Sequence, residues 1–302
     1  MARARRGDAV DGVLLLDKPS GITSNLALQK ARRLLNAAKA GHTGTLDPLA
    51  SGLLPLTFGE ATKFSADLLD ADKAYVATLQ LGVRTTTADA DGEVIERRPV
   101  AVTPGQLDAV LSRFTGTIAQ VPPMHSALKR DGKPLYAYAR EGVELERAPR
   151  TVRIERLVLT RFEGDRCEIE VDCSKGTYVR VLAEDIGAAL GCGAHLAALR
   201  RTRVGRLSLD RSVTLAALEA MPPAVRREWL QPVDSLIADV ARVDLGETQA
   251  RRFAHGNALD VGGLPGRRRV YGPNDELLGV AELDEHGMLN PRRLIAARDT
   301  AT

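Results

Sequence analysis

Residues 12–16 read GVLLL, an unbroken apolar run that stops at the Pro-Gly turn signal of DKPSG. A run this short and this continuous predicts a buried strand. Further on, Tyr75, Ala77, Leu79 and Leu81 alternate with other side chains over residues 74–81. That is the period of a strand with one covered face. Between these two signals the pattern is helical. Thr23 or Ser24 can cap a helix to about Asn36, with Leu26, Leu34 and Leu35 among its buried residues. Residues 41–52 contain Gly41, Gly44, Pro48 and Gly52 and read as an ordered loop. Residues 53–58 are apolar again, and 60–69 suit a helix.

The remainder continues the mixture. Residues 84–93 (RTTTADADGE) form a turn or loop, and 103–114 a helix opened by Thr-Pro. Residues 152–162 and 167–173 are strand-like, with Gly164 in the turn between them. Residues 177–190 and 214–219 are helical. Residues 121–150 begin with VPP, carry many charges and read as an inserted arm lying over a surface. From about Val243 short strands alternate with Gly turns. Strands and helices mix without a strict βαβ alternation. This predicts an α+β fold with a largely antiparallel sheet, not a doubly wound parallel one. At 302 residues the chain has room for one large domain and a smaller one.

Several classes are excluded. No apolar run approaches the ~20 residues of a membrane helix. The start MARARRGDAVDG lacks the apolar core of a secretory signal. Three Cys (167, 173, 192) without a CxxC pair make neither a disulfide framework nor a thiolate metal site. Phosphate-binding loops, GxGxxG, HExxH and GxSxG are all missing, and the five His are scattered. A cytoplasmic globular protein is expected.

Charge is informative by segment. The net formal charge is +3. Residues 1–39, however, carry eight basic side chains against three acids, and residues 197–211 carry five Arg against one Asp. Local excesses of this kind mark contact with a phosphate backbone. Segment 41–52, GHTGTLDPLASG, surrounds the single acid Asp47 with turn residues. Pro48 pushes Asp47 out of the helical region. Residue chemistry leaves two readings open here: a carboxylate held ready for reaction, or an Asp capping its own turn.

GHTGTLDPLASG resembles the catalytic motif of the TruB family, the bacterial tRNA pseudouridine-55 synthases. GVLLLDKPSGITS, DKAYVATLQLGVRTTTADADG, VPPMHSALK, GKPLYAYAREG, CSKGTYVRVLAEDIG and CGAHLAALRRTRVG resemble further family motifs. They stand in family order over about residues 10–210. The resemblance implies a basic segment at 1–9 and a catalytic domain of pseudouridine synthase type at 10–242. It makes 121–150 an RNA-gripping insertion and 243–302 a small PUA-like domain. It implies that a uridine loses its N1–C1′ bond and is rejoined to ribose through C5, with no cofactor and no metal. Asp47 is then the catalytic carboxylate, acting by attack on the ribose or by proton abstraction from it. Tyr75 faces the flipped target base, and Arg180 is the basic partner of Asp47. Tyr178 and Leu199 complete the pocket, His42 contacts RNA, and Lys18 with Pro19 supports the active-site loop. His125 stands where related sequences often carry Tyr or Phe.

The implied partner is the T stem-loop of tRNA, with no membrane, no obligate protein partner and a monomeric enzyme. Its phosphates would be clamped by the N-terminal segment, the arm, and Arg200, Arg201, Arg203 and Arg206. Competing expectations are an RNA-folding protein with a secondary catalytic site, a guide-RNA-dependent relative, and an enzyme of small molecules.

Overall fold

The computed structural model describes residues 7–296. Arg3, Arg5 and Arg6 of the basic N-terminal segment therefore lie outside the described residues. The GVLLL run lies in β1 (Gly12–Lys18). It is continuous because both faces are covered. Val13 and Leu15 enter one buried cluster, Leu14 and Leu16 another. Helix α1 (Ser24–Leu34) follows, and the Thr23 hydroxyl accepts from the Leu26 N–H. Its buried face is Ser24, Ala27, Leu28 and Ala31. Leu26, expected in the core, is exposed, because it lies off that three-and-four spacing.

The ordered loop expected at 41–52 is shorter than its motif, since both ends are strands. These are β2 (Ala40–His42) and β3 (Ser51–Phe58). Residues Gly59–Leu68 wind as a 3₁₀ helix. The alternating segment is β4 (Lys73–Leu81), with Ala77, Leu79 and Leu81 buried. Strands β5 (Val83–Thr85) and β6 (Val94–Arg97) pair around the Thr/Asp loop. Helix α2 (Pro104–Arg113) has a reciprocal cap between Thr103 and Gln106. Strand β7 (Gly116–Gln120) leads into the arm. The arm holds β8 (Lys129–Arg130), β9 (Lys133–Pro134) and α3 (Leu135–Arg140). Then come β10 (Arg150–Glu163), β11 (Arg166–Cys173), α4 (Val179–Ala189) and β12 (Ala194–Val204). The strands β13 (Leu207–Ser208), β14 (Val213–Thr214) and β15 (Leu230–Gln231) are two residues each.

The main sheet runs β14-β1-β3-β12-β4-β11-β10-β7, with β2, β13 and β15 attached at its sides. Within it, only β1–β14 and β3–β12 are parallel pairs among the described strands. The expected α+β class with a largely antiparallel sheet is what the fold shows. Helices α2 and α4 contribute to one core cluster with β4, β10, β11 and β12. Helix α1 and the helix Leu215–Ala220 contribute to a second, on β1 and β3. A five-stranded C-terminal sheet runs β16 (Ala241–Asp244), β18 (Gly266–Tyr271), β19 (Leu277–Leu283), β20 (Met288–Leu294), β17 (Leu259–Asp260). It has its own core around Phe253. Val280 instead joins the cluster containing Val13, Leu53 and Phe64, which fixes this sheet to the main body. All three cysteines are free and buried. No helix among the described residues is long and apolar enough to cross a membrane.

The central strand β12 is the element that sequence patterning did not anticipate. Its second half, LRRTRV, reads as exposed charge. Inside the sheet Arg201 turns inward and is 1% exposed, while its neighbours are tied down by acids two strands away on either side. Arg200 makes two bonds to Asp17 of 3.0 and 2.8 Å, and Arg203 bonds Asp172 at 2.8 Å. Arg206 pairs with Asp239 on the surface. The expectation that Arg201 clamps a phosphate at the surface is therefore corrected. Arg201 is interior, and the other three are engaged.

Strand β3 reaches β12 at Gly52, whose φ is +99°. A Cβ there would stand 2.2 Å from the Arg201 carbonyl oxygen. We predict that Gly52→Ala destabilises the fold by about 2 kcal/mol or more, combining a left-handed backbone with a backbone clash. Urea unfolding with an unchanged m-value measures it, and a loss under about 0.5 kcal/mol contradicts this packing.

Candidate active site

Asp47 sits in the turn between β2 and β3, and that turn is tied down on every side. Ser24 Oγ donates to the Leu46 carbonyl at 2.9 Å and accepts from the Leu46 N–H at 2.8 Å. The Gly21 N–H donates to the Pro48 carbonyl, the Thr43 N–H to Pro55, and the Ala50 N–H to Asp47. From below, Arg201 donates to the carbonyls of Gly44, Thr45 and Leu53. Leu46 and Ala50 anchor the turn in the core of α1 and β3. The Asp47 carboxylate is the part left reachable, with its side chain 44% exposed.

Arg180 comes from the first turn of α4, with its side chain 6% exposed. Its Nε lies 3.0 Å from Asp47 Oδ2 and 3.5 Å from Asp89 Oδ2. Nη2 donates to the His125 carbonyl at 2.8 Å and Nη1 to the Thr87 carbonyl at 3.4 Å. Burial pushes the Asp47 carboxyl above the ordinary carboxylate range, against the pull of Arg180. The charges of Asp89 and Asp91 push it the same way as burial.

The start of α4 has no side-chain cap of its own. Gln120, 2% exposed at the root of the arm, covers it instead. The Tyr178 N–H donates to Gln120 Oε1 at 3.1 Å, and Gln120 Nε2 donates to the Tyr178 carbonyl at 3.4 Å. This clamp holds the helix start that carries Tyr178 and Arg180.

Asp47, Tyr75, Tyr178, Arg180 and Leu199 line one cavity of about 380 Å³, together with Lys73, Ser126 and Arg201. Of the sequence-derived candidates, these five are brought together. Tyr75 of β4 stands opposite Arg201 of β12, with Leu199 two residues along opposite Ala77, and burial pushes the Tyr75 and Tyr178 phenols up. His42 and Lys18 do not line the cavity. His42 is half-buried on β2, its Nδ1 has no hydrogen-bond partner, and burial with nearby Arg201 pushes its imidazole down. Lys18 is fully buried at the end of β1 and donates to the Pro19 and Ile22 carbonyls. Burial brings its amine down to about 8, with Asp47 acting in the opposite sense.

Sequence reasoning missed Asp89 and Gln120. Asp89 accepts from the Asp91 N–H and from Thr87 Oγ1, a turn arrangement legible in TADAD. What local sequence does not carry is the meeting with Arg180, 91 positions away. A larger cleft of about 620 Å³ lies between the arm and the outer side of α4 and contains none of the candidate residues. Among the described residues no group of three or more His, Cys, Asp or Glu could hold a metal ion.

Residues 32–179 match the model of the TruB family pseudouridylate synthase N-terminal domain. Residues 180–238 match the tRNA pseudouridylate synthase B C-terminal domain, and 241–295 the pseudouridine synthase II TruB C-terminal model. The chain is 58% identical to tRNA pseudouridine synthase B of Aromatoleum aromaticum, over 97% of this chain and 95% of that one. It is 60% identical to the protein of the same name in an Azoarcus species, over 96% of each. Among solved structures, a chain of a Cbf5–Nop10–Gar1 complex superposes with a TM-score of 0.74 at 27% identity, covering 96% of this chain and 87% of that one.

The electrostatics make a prediction that carboxyl-carbon NMR can check. Asp47 should titrate above the ordinary carboxylate range. Asp89→Asn removes one like charge and should lower that titration, whereas Arg180→Met should raise it. An Asp47 titration at the ordinary value, unmoved by either change, contradicts the assignment.

Proposed function

This chain belongs to the TruB family and is a pseudouridine synthase, and from that premise we propose that it isomerises uridine 55 in the T loop of tRNA. The observation that carries this reading is the cavity in which Arg180 holds the reachable Asp47 beside Tyr75 and Leu199. The target uridine is turned out of its loop, since its C1′ is otherwise out of reach. Tyr75 and Leu199 then offer the base an aromatic face and an apolar edge. Asp47, kept ionised by Arg180 against its burial, acts on the ribose, either by attack on C1′ or by removing a proton from the sugar. Tyr178 closes the cavity beside the arm. His42 meets the RNA next to the catalytic turn, and Lys18 supports that turn from beneath. Both the broken and the formed bond belong to the substrate, so these residues need no external oxidant or group donor.

The catalytic domain is assigned to residues 10–242 and the PUA-like domain to 243–302. Exposed Lys30, Arg33 and Lys39 on one side, and Lys129, Arg130, Arg140 and Arg150 around the arm, provide positive charge for an RNA backbone. Recognition then rests on shape, phosphates and extruded bases, as is usual for structured RNA.

Asp47→Asn should lower pseudouridine formation in a T-arm stem-loop by about 10⁴-fold or more while leaving RNA affinity within about threefold. Turnover near the wild-type rate contradicts the role of Asp47. Affinity for the same RNA should fall by about tenfold or more from roughly 50 to 200 mM salt, through counterion release. Salt-independent binding contradicts the proposed phosphate contacts.

A further inference from the structure

Beneath the cavity the fold buries three cations, Lys18, Lys73 and Arg201, at 0%, 9% and 1% exposure. Apart from a bond between Arg201 and the Tyr75 phenol, their hydrogen bonds end on backbone carbonyls. Lys18 Nζ reaches Pro19 and Ile22 at 2.9 and 2.8 Å. Lys73 Nζ reaches Leu69 and Ala71 at 2.9 and 2.5 Å. Arg201 reaches Leu53, Thr45 and Gly44 at 2.8, 3.5 and 3.3 Å. None of the three forms an ion pair among the described residues, whereas Arg180, on the opposite wall, has two carboxylates. Buried charge without a counter-charge is costly, and natural folds usually pair it. Arg201 also repels its neighbours, and its charge works against protonation of Lys18, Lys73 and His42. The site thus holds three buried cations with no carboxylate in ion-pair contact among the described residues, Asp47, Asp70 and Asp72 acting on the two lysines only from a distance. Arg201 and Lys73 line the cavity, and Arg201 faces the Tyr75 phenol.

We propose that this buried positive charge, centred on Arg201, stabilises the negative charge that the uracil ring acquires when it leaves the ribose. The inference rests on the pseudouridine synthase reading above. The N1–C1′ bond breaks with its electron pair staying on N1, and the charge spreads over O2 and O4. The ribose is held meanwhile as an ester of Asp47, or as the alkene left by proton loss to Asp47. The charge persists until C5 bonds to C1′; in the alkene route the ribose regains its proton from Asp47. C5 then loses its proton to solvent and N1 takes one up. A preorganised cation in a site that excludes water acts on such a charge far more strongly than one in bulk solvent. The same chemistry could be met by a backbone phosphate, and Arg201 could serve only to hold the Gly44–Thr45 turn. Each makes a different measurable pattern.

The test is single-turnover loss of the N1-linked nucleoside from a T-arm stem-loop carrying uridine or 5-fluorouridine at the target, read by chromatography after digestion; the fluorinated ring has no C5 proton to lose, so its C5-linked product keeps the fluorine. Fluorine at C5 stabilises the same anion and reduces the need for the protein to do so. Arg201→Met should slow uridine by about 100-fold, with RNA affinity within about threefold of wild type. Its effect on 5-fluorouridine should be at least about tenfold smaller, because the leaving group then carries part of the stabilisation. An equal loss on both substrates overturns the inference and leaves Arg201 a prop of the turn. A loss of affinity with a shallower salt dependence and an unchanged rate overturns it in favour of a phosphate contact. If the Met variant does not fold, Arg201→Gln, which removes the charge but keeps a donor for the turn carbonyls, carries the same comparison. A smaller loss on the fluorinated substrate supports the inference, and an equal loss overturns it. Failure of the wild type to convert uridine overturns the functional reading itself, which separates the two.

Discussion

Arg180 reaches from the start of α4 into a space shared by three segments remote in sequence: the catalytic turn, the Thr/Asp loop and the root of the arm. Its Nε faces two carboxylates and its terminal nitrogens hold two backbone carbonyls. A planar guanidinium with five donors can satisfy such a ring of acceptors, and an ammonium cannot. The helix start is itself held by Gln120, one residue before the arm begins. The root of the arm is thereby fixed at Gln120 and at His125, on either side of the helix terminus. Any shift of that segment is felt at Asp47 through a single side chain.

The opposite wall follows a different logic. Strand β12 passes between β3 and β4, and Gly52 allows the backbones to approach where Arg201 turns inward. The sheet is built over a guanidinium and two ammonium groups held by carbonyls and, for Arg201, by the Tyr75 phenol. For stability alone, apolar side chains of similar size would serve at least as well. Departures from the rule that buried charge is paired tend to fall at functional sites, and this one lies beneath the cavity that holds Asp47. The cavity thus has one cation paired with Asp47 and another, Arg201, outside any ion pair among the described residues.

Much of this was legible in the sequence where local chemistry determines structure. The continuous run in β1, the alternation in β4 and the caps at Thr23 and Thr103 each specify their element. Asp47 stood out because Gly44, Pro48 and Gly52 enforce a turn around it. Assigning roles to Tyr75, Arg180, Tyr178 and Leu199 needed the resemblance, since an isolated strand Tyr or helix Arg says nothing of what it faces. The charged strand β12 was hidden because its arginines are neutralised by Asp17 and Asp172 from other strands, a pairing no local window contains. For the same reason Arg201 read as a surface phosphate contact. Asp89 and Gln120 were out of reach because each acts through tertiary contact with α4. Lys18 was legible as a support, but its burial without a counter-charge was not.

The most direct test of this account is the rate of pseudouridine formation by Arg180→Lys on a T-arm stem-loop. It keeps the charge and removes the planar fork. The account predicts a fall of about 10³-fold in single-turnover rate with RNA affinity and melting temperature nearly unchanged, because a point charge cannot hold Asp47, Asp89 and the arm root together. A rate within about threefold of wild type would show that charge alone suffices, and would contradict the central place given to this junction.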